Sequence, residues 1–514
     1  MEPSNTLSPI HPEGEPLSNE DQLLSVDTFG GRIHIEWDPQ AAVTPMGQLA
    51  FFIDFLKTAD LYEPWIAESP LKYQSPNAPQ VRDVLGTTFL SILAGHKRYA
   101  HVTAIRSDNV NPALLGMGKV VSEDSVRRAF QNIDETACEK WQRAHLRRAF
   151  EPLLNEPWIL DIDTTVKPLY GHQEGAVVGY NPHKPGRPSH AYHTYFIANL
   201  RLVLDVEVQP GNQTASSYSR PGLFDFLDSL PEDARPRFIR GDIAFGNEGT
   251  MVEAEKRSID YLFKLRQTKK VRSLVEQSFG RADWADAGQG WEGVDDRLQL
   301  TGWSRERRVI VLRRELKDAV VLAKKKEEGQ LEFGFVEDLE CARAYEYAVL
   351  VTSLGGEVLT MAQHYRDRAD AENPFDELKN QWGWSGYTTR DLKRCQIMAR
   401  HIGLFYNWWS LFARLAIPER HAEAVTSRPL LLTAIGKQTR HAGQRRLTIT
   451  STHGKIGAIR QALTRLTKFL SEVRSFAEQL DWAGRWRLIL SRVFVQFLDG
   501  RPLTAPPKVP ALPG

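Results

Sequence analysis

The spacing of apolar residues divides the chain into a helical first part, a strand-rich middle and a helical last part. Residues 41–155 repeat apolar side chains at helical intervals, as in "MGQLAFFIDFLKTADLY" and "VRDVLGTTFLSILAGHK". From residue 156, short apolar runs predict strands in "WILDIDTTV", "HAYHTYFIANLRLVLDVEVQPGN", "PRFIRGDIAFGN" and "IDYLFKLRQ". The second run holds two strands joined near Asn199, and helices are predicted in "SRPGLFDFLDSLP" and "EGTMVEAEKRS". The order β-β-β-α-β-α-β predicts an α/β fold class, with a mixed sheet covered by helices.

The remaining segments complete a multidomain prediction of the α+β kind. Residues 268–356 are strand-like and turn-rich, which predicts a β-rich insertion between two parts of the sheet domain, 156–267 and 357–390. Residues 391–500 are predicted to be helical again. We expect residues 1–40 to be a flexible leader and residues 501–514 a loose tail.

One stretch of the helical first part resembles a helix-turn-helix. "LLGMGKVVSEDSVRRAFQNI" places a glycine-containing turn before a helix that Ser122 would cap, and Arg127 and Arg128 lie in that helix. The pattern is short, so plain helical packing is the favoured explanation, with a helix-turn-helix as the alternative. Both interpretations stay open.

Charge and cysteine content narrow the class of protein. The net charge is +1, but residues 401–500 hold 15 Lys/Arg and 6 Asp/Glu, or +9, which leaves −8 for the remainder. A basic region favours a polyanionic partner. The three cysteines form no CxxC pair, and no run of 18 uncharged apolar residues is present, so we expect a cytosolic protein with no membrane partner.

The stretch "HYRDRADAENPFDELKNQWGW", residues 364–384, carries an unusual set of charged side chains. On one straight helix, Tyr365, Arg368, Glu372 and Lys379 would share one narrow face. A salt-bridged surface helix is the alternative. Pro374 argues against one straight helix, and Asn373 could cap a new one. The direction of Lys379 is then left open.

Two further acids stand at or near strand ends. Asp163 lies in "DIDTT" and Asp242 in "RGDIAFGN", positions where open α/β sheets place their ligands. Asp161 is a rival to Asp163, because strand alternation points both to one face. Together with Glu372 these carboxylates would repel one another without cations, and hard oxygen ligands suit Mg²⁺.

These residues resemble the DDE transposases of bacterial insertion sequences, in the branch with a Tyr-x₂-Arg-x₃-Glu-x₆-Lys motif. Tyr365, Arg368, Glu372 and Lys379 match that spacing, and the "DTT" beginning at Asp163 and the "RGDIAFGN" containing Asp242 look like the family's first two aspartate segments. The resemblance covers roughly residues 155–385 and implies an RNase H-like core with a β-rich insertion, flanked by helical N- and C-terminal regions.

The resemblance implies that Asp163, Asp242 and Glu372 are the catalytic residues and bind two Mg²⁺ ions, for which Mn²⁺ would substitute. The expected reaction is cleavage at transposon ends and strand transfer into target DNA. The expected partners are terminal inverted repeat DNA, target DNA and a second copy of the chain in a homodimer. The expected location is the bacterial cytoplasm, with the nucleoid.

Several side chains are candidates for DNA contact. Tyr365, Arg368 and Lys379 suit the DNA backbone, and Trp291 or Trp303 could stack on an extruded base. The other candidates for DNA contact are Arg307, Arg308, Lys184, Arg187, Arg127 and Arg128. Asp205, Asp225 and Asp228 are interpreted as hairpin or helix-surface acids.

Two other functions are weighed against this one. A catalytically inactive, transposase-derived DNA-binding protein would lack cleavage of DNA in Mg²⁺. A two-carboxylate hydrolase of sugars would need no Arg or Lys companions, and its activity would survive EDTA.

Overall fold

The computed structural model describes residues 23–73, 75–181, 184–213, 215–316, 334–336, 344–419, 421–476 and 479–504. The α-helices are α1 (Leu49–Thr58), α2 (Tyr62–Ala67), α3 (Val81–Leu93), α4 (Asn111–Leu114), α5 (Glu123–Asn132), α6 (Glu135–Phe150), α7 (Ala215–Asp228), α8 (Glu248–Lys256), α9 (Lys269–Ser278), α10 (Val358–Arg366), α11 (Ala369–Asn380), α12 (Leu392–Ala416), α13 (Ala424–Leu431), α14 (Ile456–Ser475) and α15 (Trp482–Val493). Short 3₁₀ turns span Tyr99–Ile105, Glu151–Asn155, Ala198–Leu200 and Glu232–Ala234.

The strands follow the same chain order. They are β1 (Leu23–Thr28), β2 (Gly31–Glu36), β3 (Val43–Thr44), β4 (Ile159–Pro168), β5 (Val177–Val178), β6 (Pro188–Ile197), β7 (Leu202–Pro210), β8 (Phe238–Gly241), β9 (Asp260–Lys264), β10 (Ala285–Gly288), β11 (Trp291–Leu298), β12 (Arg307–Glu315), β13 (Gly334–Val336), β14 (Ala344–Thr352), β15 (Ile435–His441) and β16 (Gln444–Thr450).

A large mixed sheet forms the centre of the protein. Strand β4 pairs antiparallel with β6, and β6 pairs antiparallel with β7. On its other side β4 pairs parallel with β8, which pairs parallel with β9. The spatial order β7-β6-β4-β8-β9 places the first strand in the middle. The predicted α/β fold class is confirmed, and the strand order is the one that an RNase H-like core implies.

The predicted β-rich insertion extends the same sheet instead of forming a separate one. It begins with helix α9, and its strand β14 then pairs antiparallel with β9. Strands β12, β11 and β10 follow outward from β14. Pairing at β9 satisfies backbone groups that an unpaired edge strand would leave exposed, which explains why the insertion joins the sheet there.

The helical first and last parts share one hydrophobic core. Helix α12 is almost entirely buried and lies against β7 and α6. Phe412 of α12 contacts Phe52 of α1, with ring centroids 5.0 Å apart. Because these side chains come from both ends of the chain, the two helical regions pack as one body rather than as two independent units.

Asp205 on β7 differs from its interpretation as a hairpin surface acid. Its side chain is 1% exposed and accepts hydrogen bonds from Arg143 Nε at 2.8 Å and Arg400 Nε at 2.9 Å. A buried carboxylate needs such partners, and these two arginines tie α6 and α12 to the sheet. Asp205 is therefore a structural residue.

Both ends of the chain contain strands that periodicity did not predict. Strands β1 and β2 form a hairpin within the predicted leader, while residues 1–22 lie outside the described residues. Strands β15 and β16 form a second hairpin within the region predicted to be helical, and β15 pairs with β3. The final residues 505–514 also lie outside the described ranges. Within the described residues, no helix is long and apolar enough to cross a membrane.

Candidate active site

Asp163 lies within β4, which continues to Pro168 rather than ending near the aspartate, and Asp242 directly follows β8; the two come side by side where the parallel pairing of β4 with β8 ends. The last register pair between β4 and β8 is Ile162 with Gly241, so each aspartate comes one residue later. Paired strands lie about 4.8 Å apart, which brings the two carboxylates close together. Asp242 Oδ1 accepts a hydrogen bond from the backbone N–H of Ala244 at 2.9 Å, which orients it at the strand end.

The structure separates Asp163 from its rival Asp161. Asp161 is 2% exposed and forms an ion pair with Arg240 of β8, with Arg240 Nε 2.5 Å from Oδ1 and Nη2 2.7 Å from Oδ2. Both carboxylate oxygens of Asp161 are therefore occupied by a bidentate partner. Asp163 lies just past the end of the parallel pairing and its side chain is 22% exposed. Asp161 has a structural role, and Asp163 is the carboxylate that a ligand can reach.

Arg240 also connects the sheet to the helices that follow the insertion. Its Nη1 donates a hydrogen bond to the backbone carbonyl of His364, near the end of α10. His364 directly precedes Tyr365, so this contact places the beginning of the motif beside β4 and β8. Arg240 was not predicted as a site residue. The one feature of the sequence that pointed to it is its position in the "RGD" of the second aspartate segment.

The four-residue motif does not lie on one straight helix. Helix α10 ends at Arg366 and α11 begins at Ala369, so the break comes at Asp367 and Arg368. Pro374 is inside α11, which corrects the expectation that Asn373 and Pro374 could start a new helix. The chain turns where the backbone N–H of Arg368 bonds the carbonyl of Tyr365 at 3.1 Å.

Helix α11 is held against the sheet by its apolar side. Phe375 and Leu378 are buried, and the ring of Phe375 contacts that of Phe196 on β6, with centroids 4.9 Å apart. Lys379 follows Leu378 and is half-buried beside the carboxylates. Packing of α11, rather than one continuous helical face, therefore brings Lys379 to the site.

The charges of these residues act on one another. The pKa of Asp163 is raised to about 6: burial is the largest cause, Arg368 opposes the rise, the nearby charge of Asp242 adds to it, and Lys379 opposes it. Arg368 Nη2 lies 3.6 Å from Asp163 Oδ1. Burial lowers the pKa of Lys379, and the Asp163 carboxylate opposes that shift. Arg368 also interacts with Tyr365 and Asp242, so Tyr365, Arg368 and Lys379 lie in the neighbourhood of the two aspartates.

Glu372 lies in α11, three residues before Phe375 and six before Leu378, and its side chain is outside the described residues. Among the described side chains, no group of three His, Cys, Asp or Glu residues forms a metal cluster. The two aspartates nevertheless fit a divalent cation, because they offer hard oxygen ligands and the carboxylate of one raises the pKa of the other. A cation between them would relieve this repulsion.

The insertion residues proposed for DNA contact have protein partners. Trp303 is 8% exposed, with the guanidinium of Arg307 over its ring at 5.3 Å. Arg307 is buried and pairs with Glu248 at 2.5 Å and Glu255 at 2.8 Å. Burial and paired charge argue against a base contact by Trp303 and a phosphate contact by Arg307.

Arg308 and Trp291 are also engaged within the insertion. Arg308 pairs with Asp295 and donates to the backbone carbonyls of Leu354 and Gly356 at 2.6 and 2.7 Å. Trp291 is partly exposed, and the guanidinium of Arg314 lies 4.9 Å from its ring centroid. Trp291 is therefore the more accessible of the two predicted tryptophans, and its base contact stays a prediction.

Lys184 and Arg187, which were predicted to contact DNA, lie beside Tyr170, an exposed residue that was not predicted. Lys184 donates a hydrogen bond to the hydroxyl of Tyr170, and the Arg187 guanidinium lies 4.6 Å from the same ring centroid. Tyr170 is 67% exposed and belongs to the segment directly after β4. The one signal for it in the sequence was its position seven residues after Asp163.

The helix predicted from "SEDSVRRAFQNI" forms as α5, and Ser122 caps it by accepting a hydrogen bond from Ser125 N. Arg127 pairs with Glu123 at 3.2 Å and lines a cavity of 590 Å³ that Tyr170 also lines. Arg128 is exposed. Their predicted contacts with DNA stay predictions.

Comparison with known proteins gives the family. The family model described as "Transposase DDE domain group 1" matches residues 78–471, which is more than half of the chain and includes Asp163 and Asp242. One similar solved structure is the piggyBac transposase synaptic complex with hairpin DNA. It is 11% identical, has a TM-score of 0.36 and covers 92% of this chain and 89% of that chain. No curated protein matches the chain. On the strength of the family model, the chain belongs to the transposases with a DDE domain, group 1.

Proposed function

We propose that this transposase cleaves DNA at the ends of its own element and joins the freed 3′ ends to target DNA. The observation that carries the proposal is the meeting of Asp163 and Asp242 where the parallel pairing of β4 with β8 ends, with Arg368 3.6 Å from Asp163 and Lys379 close by. Paired carboxylates beside cations suit phosphoryl transfer, in which charge must be both held and neutralised.

DDE transposases generally use divalent metal ions, and in this chain Asp163, Asp242 and Glu372 would hold two Mg²⁺ ions, or Mn²⁺ in their place. Such ions supply positive charge to the phosphate and lower the pKa of bound water. The carboxylates act as ligands, so they must be deprotonated. Because the pKa of Asp163 is raised to about 6, protons compete with the metal ion for this ligand below that pH.

The cationic side chains would position the DNA strand. Arg368 suits a two-point contact with a phosphate, because its planar guanidinium offers parallel N–H donors. Lys379 suits a single charged contact, and the Tyr365 hydroxyl a neutral one. Since Arg368 also faces Asp163, a phosphate held by it would lie beside the carboxylates. This position favours an in-line attack at that phosphate.

The proposal extends to the finer features of the resemblance. The chain would be the transposase of a bacterial insertion sequence of the Tyr-Arg-Glu-Lys branch and would act in the cytoplasm at the nucleoid. Its substrates would be terminal inverted repeat DNA and target DNA. Two copies would bring the two ends together as a homodimer.

The test uses supercoiled DNA that carries the sequences flanking the coding region. We expect cleavage and joining in Mg²⁺, none in EDTA, and losses of more than about a hundredfold for Asp163→Asn, Asp242→Asn and Glu372→Gln. Asp225→Asn is the matched control, because Asp225 is an exposed acid on α7. Binding without cleavage by the wild-type chain would instead identify an inactive DNA-binding protein.

A further inference from the structure

A cavity of 290 Å³ opens directly beside the carboxylate site. Its lining residues include Thr165, Lys167, Tyr170, Tyr192, Lys379 and Trp384. Lys379 belongs to both places, because it lines the cavity and interacts with the Asp163 carboxylate. The volume is at the lower end of the range for small-molecule sites, about 300 Å³, and fits one flat ring system rather than a base pair. The cavity therefore adjoins the candidate site at Lys379.

The outer wall of this cavity is an exposed aromatic ring. Tyr170 is 67% exposed, and it also lines the neighbouring 590 Å³ cavity with Arg98 and Arg127. Other tyrosines, such as Tyr180, are similarly exposed, so exposure alone does not mark a site; what distinguishes Tyr170 is that it lines both cavities. Bases of single-stranded DNA stack on such rings whatever their sequence, because every base has a π face.

Cations surround the exposed ring. The Lys184 ammonium donates to the Tyr170 hydroxyl and lies 5.1 Å from the ring centroid, and the Arg187 guanidinium lies 4.6 Å from it. Lys184 and Arg187 are exposed. A ring bounded by exposed cations suits a ligand with one flat apolar part and an adjoining anionic part, which is the chemistry of a nucleotide.

The inner end of the cavity holds a buried cation. Lys167 is 6% exposed, and its Nζ donates to the backbone carbonyl of Gly386 and to the Tyr192 hydroxyl, the latter at 3.4 Å. Burial lowers the pKa of Lys167 to about 8. With Lys379, it gives the cavity a positive inner wall that an uncharged aromatic ligand would not use.

We propose that this cavity receives one unpaired nucleotide of the DNA strand held at the carboxylate site, with its base stacked on Tyr170 and its phosphate near Lys379. The inference rests on the proposed function for its substrate, and adds to it a base-binding site that lies outside the insertion. It replaces Trp303, which is buried, as the stacking residue.

The separation of Tyr170 from Asp163 along the chain limits which nucleotide can stack on Tyr170. Tyr170 follows Asp163 by seven residues. A strand advances about 3.3 Å per residue, so the two Cα atoms lie at most about 23 Å apart. Stacked nucleotides advance about 3.4 Å each, so the stacked base lies within about seven nucleotides of the reacting phosphate.

The experiment compares two short duplexes that carry single-stranded tails of about seven nucleotides, the length derived above. One tail consists of thymines and the other of abasic sites, so their charge is equal and only one has bases. Each tail is placed on the 3′ strand and on the 5′ strand, and affinity for the full chain is measured by fluorescence anisotropy in EDTA. The variants are Tyr170→Ala, Tyr170→Phe and, as matched control, Tyr180→Ala, another exposed tyrosine that does not line the cavity.

We expect the wild type to prefer the thymine tail by about fivefold or more on at least one strand, because base–aromatic stacking contributes about 1–3 kcal/mol per base. Tyr170→Ala should abolish that preference, whereas Tyr170→Phe and Tyr180→Ala should keep it. Equal affinity of the wild type for both tails on both strands would overturn the inference. An unchanged preference in Tyr170→Ala would do the same, with a thermal melt showing that the variant is folded.

This measurement separates the two proposals. EDTA removes divalent metal, so the binding ratio does not depend on cleavage. A chain that prefers thymine tails through Tyr170 but never cuts DNA would contradict the proposed function and leave the base site standing. A chain that cuts DNA through Asp163 but shows no tail preference would contradict the base site alone.

Discussion

Asparagine in place of Asp161 or Asp163 is expected to change stability in opposite directions, although the two residues are neighbours on one face of β4. Asp161→Asn leaves the Arg240 guanidinium, which is 3% exposed, without its counter-charge, and we expect this loss to outweigh the relief of the burial that raises the pKa of Asp161. Breaking one side of a buried ion pair costs about 3–5 kcal/mol. A domain is stable by only about 5–15 kcal/mol, so this loss is a large fraction of the total.

Asp163→Asn should stabilise the metal-free protein. The pKa of Asp163 is raised from 3.8 to about 6, mainly by burial, so the folded state disfavours the charged carboxylate. The resulting penalty is absent below pH 3.8, grows as the pH rises towards 6 and is complete above 6. This rise in pKa is about 2.2, and each pKa unit corresponds to 1.36 kcal/mol, so the penalty is at most about 3 kcal/mol. Asparagine removes that penalty because it carries no charge.

Urea unfolding at pH 8 in EDTA, followed by tryptophan fluorescence, measures both effects as shifts of the transition midpoint. We expect a lower midpoint for Asp161→Asn, a higher one for Asp163→Asn and no shift for the exposed Asp225→Asn. At pH 4.5 the gain of Asp163→Asn should fall to about 1 kcal/mol, roughly a third of its value at pH 8. A loss of stability in Asp163→Asn as large as that in Asp161→Asn would refute the assignment of the structural and the ligand-accessible carboxylate.

Three further outcomes follow from the site and the surface. Arg368→Ala should weaken binding of end DNA about 10- to 100-fold, as expected for a hydrogen bond to a charged group, and Arg368→Lys should recover only part of it in the same anisotropy assay. Saturating Mg²⁺ should raise the melting temperature of the wild type by an amount equivalent to about 2–3 kcal/mol, and a shift of equal size in Asp163→Asn/Asp242→Asn would contradict a metal site there. Arg445 and Arg446 are exposed on the β15–β16 hairpin, and we expect their replacement with glutamate to reduce the slope of log affinity against log salt concentration by the equivalent of about two phosphate contacts. An unchanged slope would exclude the hairpin from the DNA interface.

Local patterns were enough to predict the sheet core and its two aspartates. The runs around Asp163 and Asp242 are apolar, and the two aspartates are the next residues of β4 and of the β8 segment after the last parallel pair, Ile162 with Gly241. Each of these steps depends on residues close in sequence. The predicted strand and helix order of residues 158–267 is confirmed for that reason.

What could not be predicted depends on contacts between distant segments. The pairing of β14 with β9 depends on which sheet edge was left free, and hydropathy does not record that. Helix α10 ends at Arg366 without a proline or glycine there, whereas Pro374, the obvious local breaker, is tolerated inside α11. Arginines were the hardest to assign. Arg307 pairs with Glu248 and Glu255, which come from another element more than fifty residues away.

The arrangement around Arg240 explains how a site built from distant segments is held together. One guanidinium binds Asp161 on β4, belongs to β8 and donates to the carbonyl of His364 at the end of α10. The two strands that carry the aspartates and the helix that leads into the motif therefore share one buried partner. A hydrophobic replacement could fill the same volume, but it could not bond a carboxylate and a carbonyl in fixed directions. Through these contacts Arg240 fixes the end of α10, which carries Tyr365 and directly precedes Arg368, against the strand that carries Asp163.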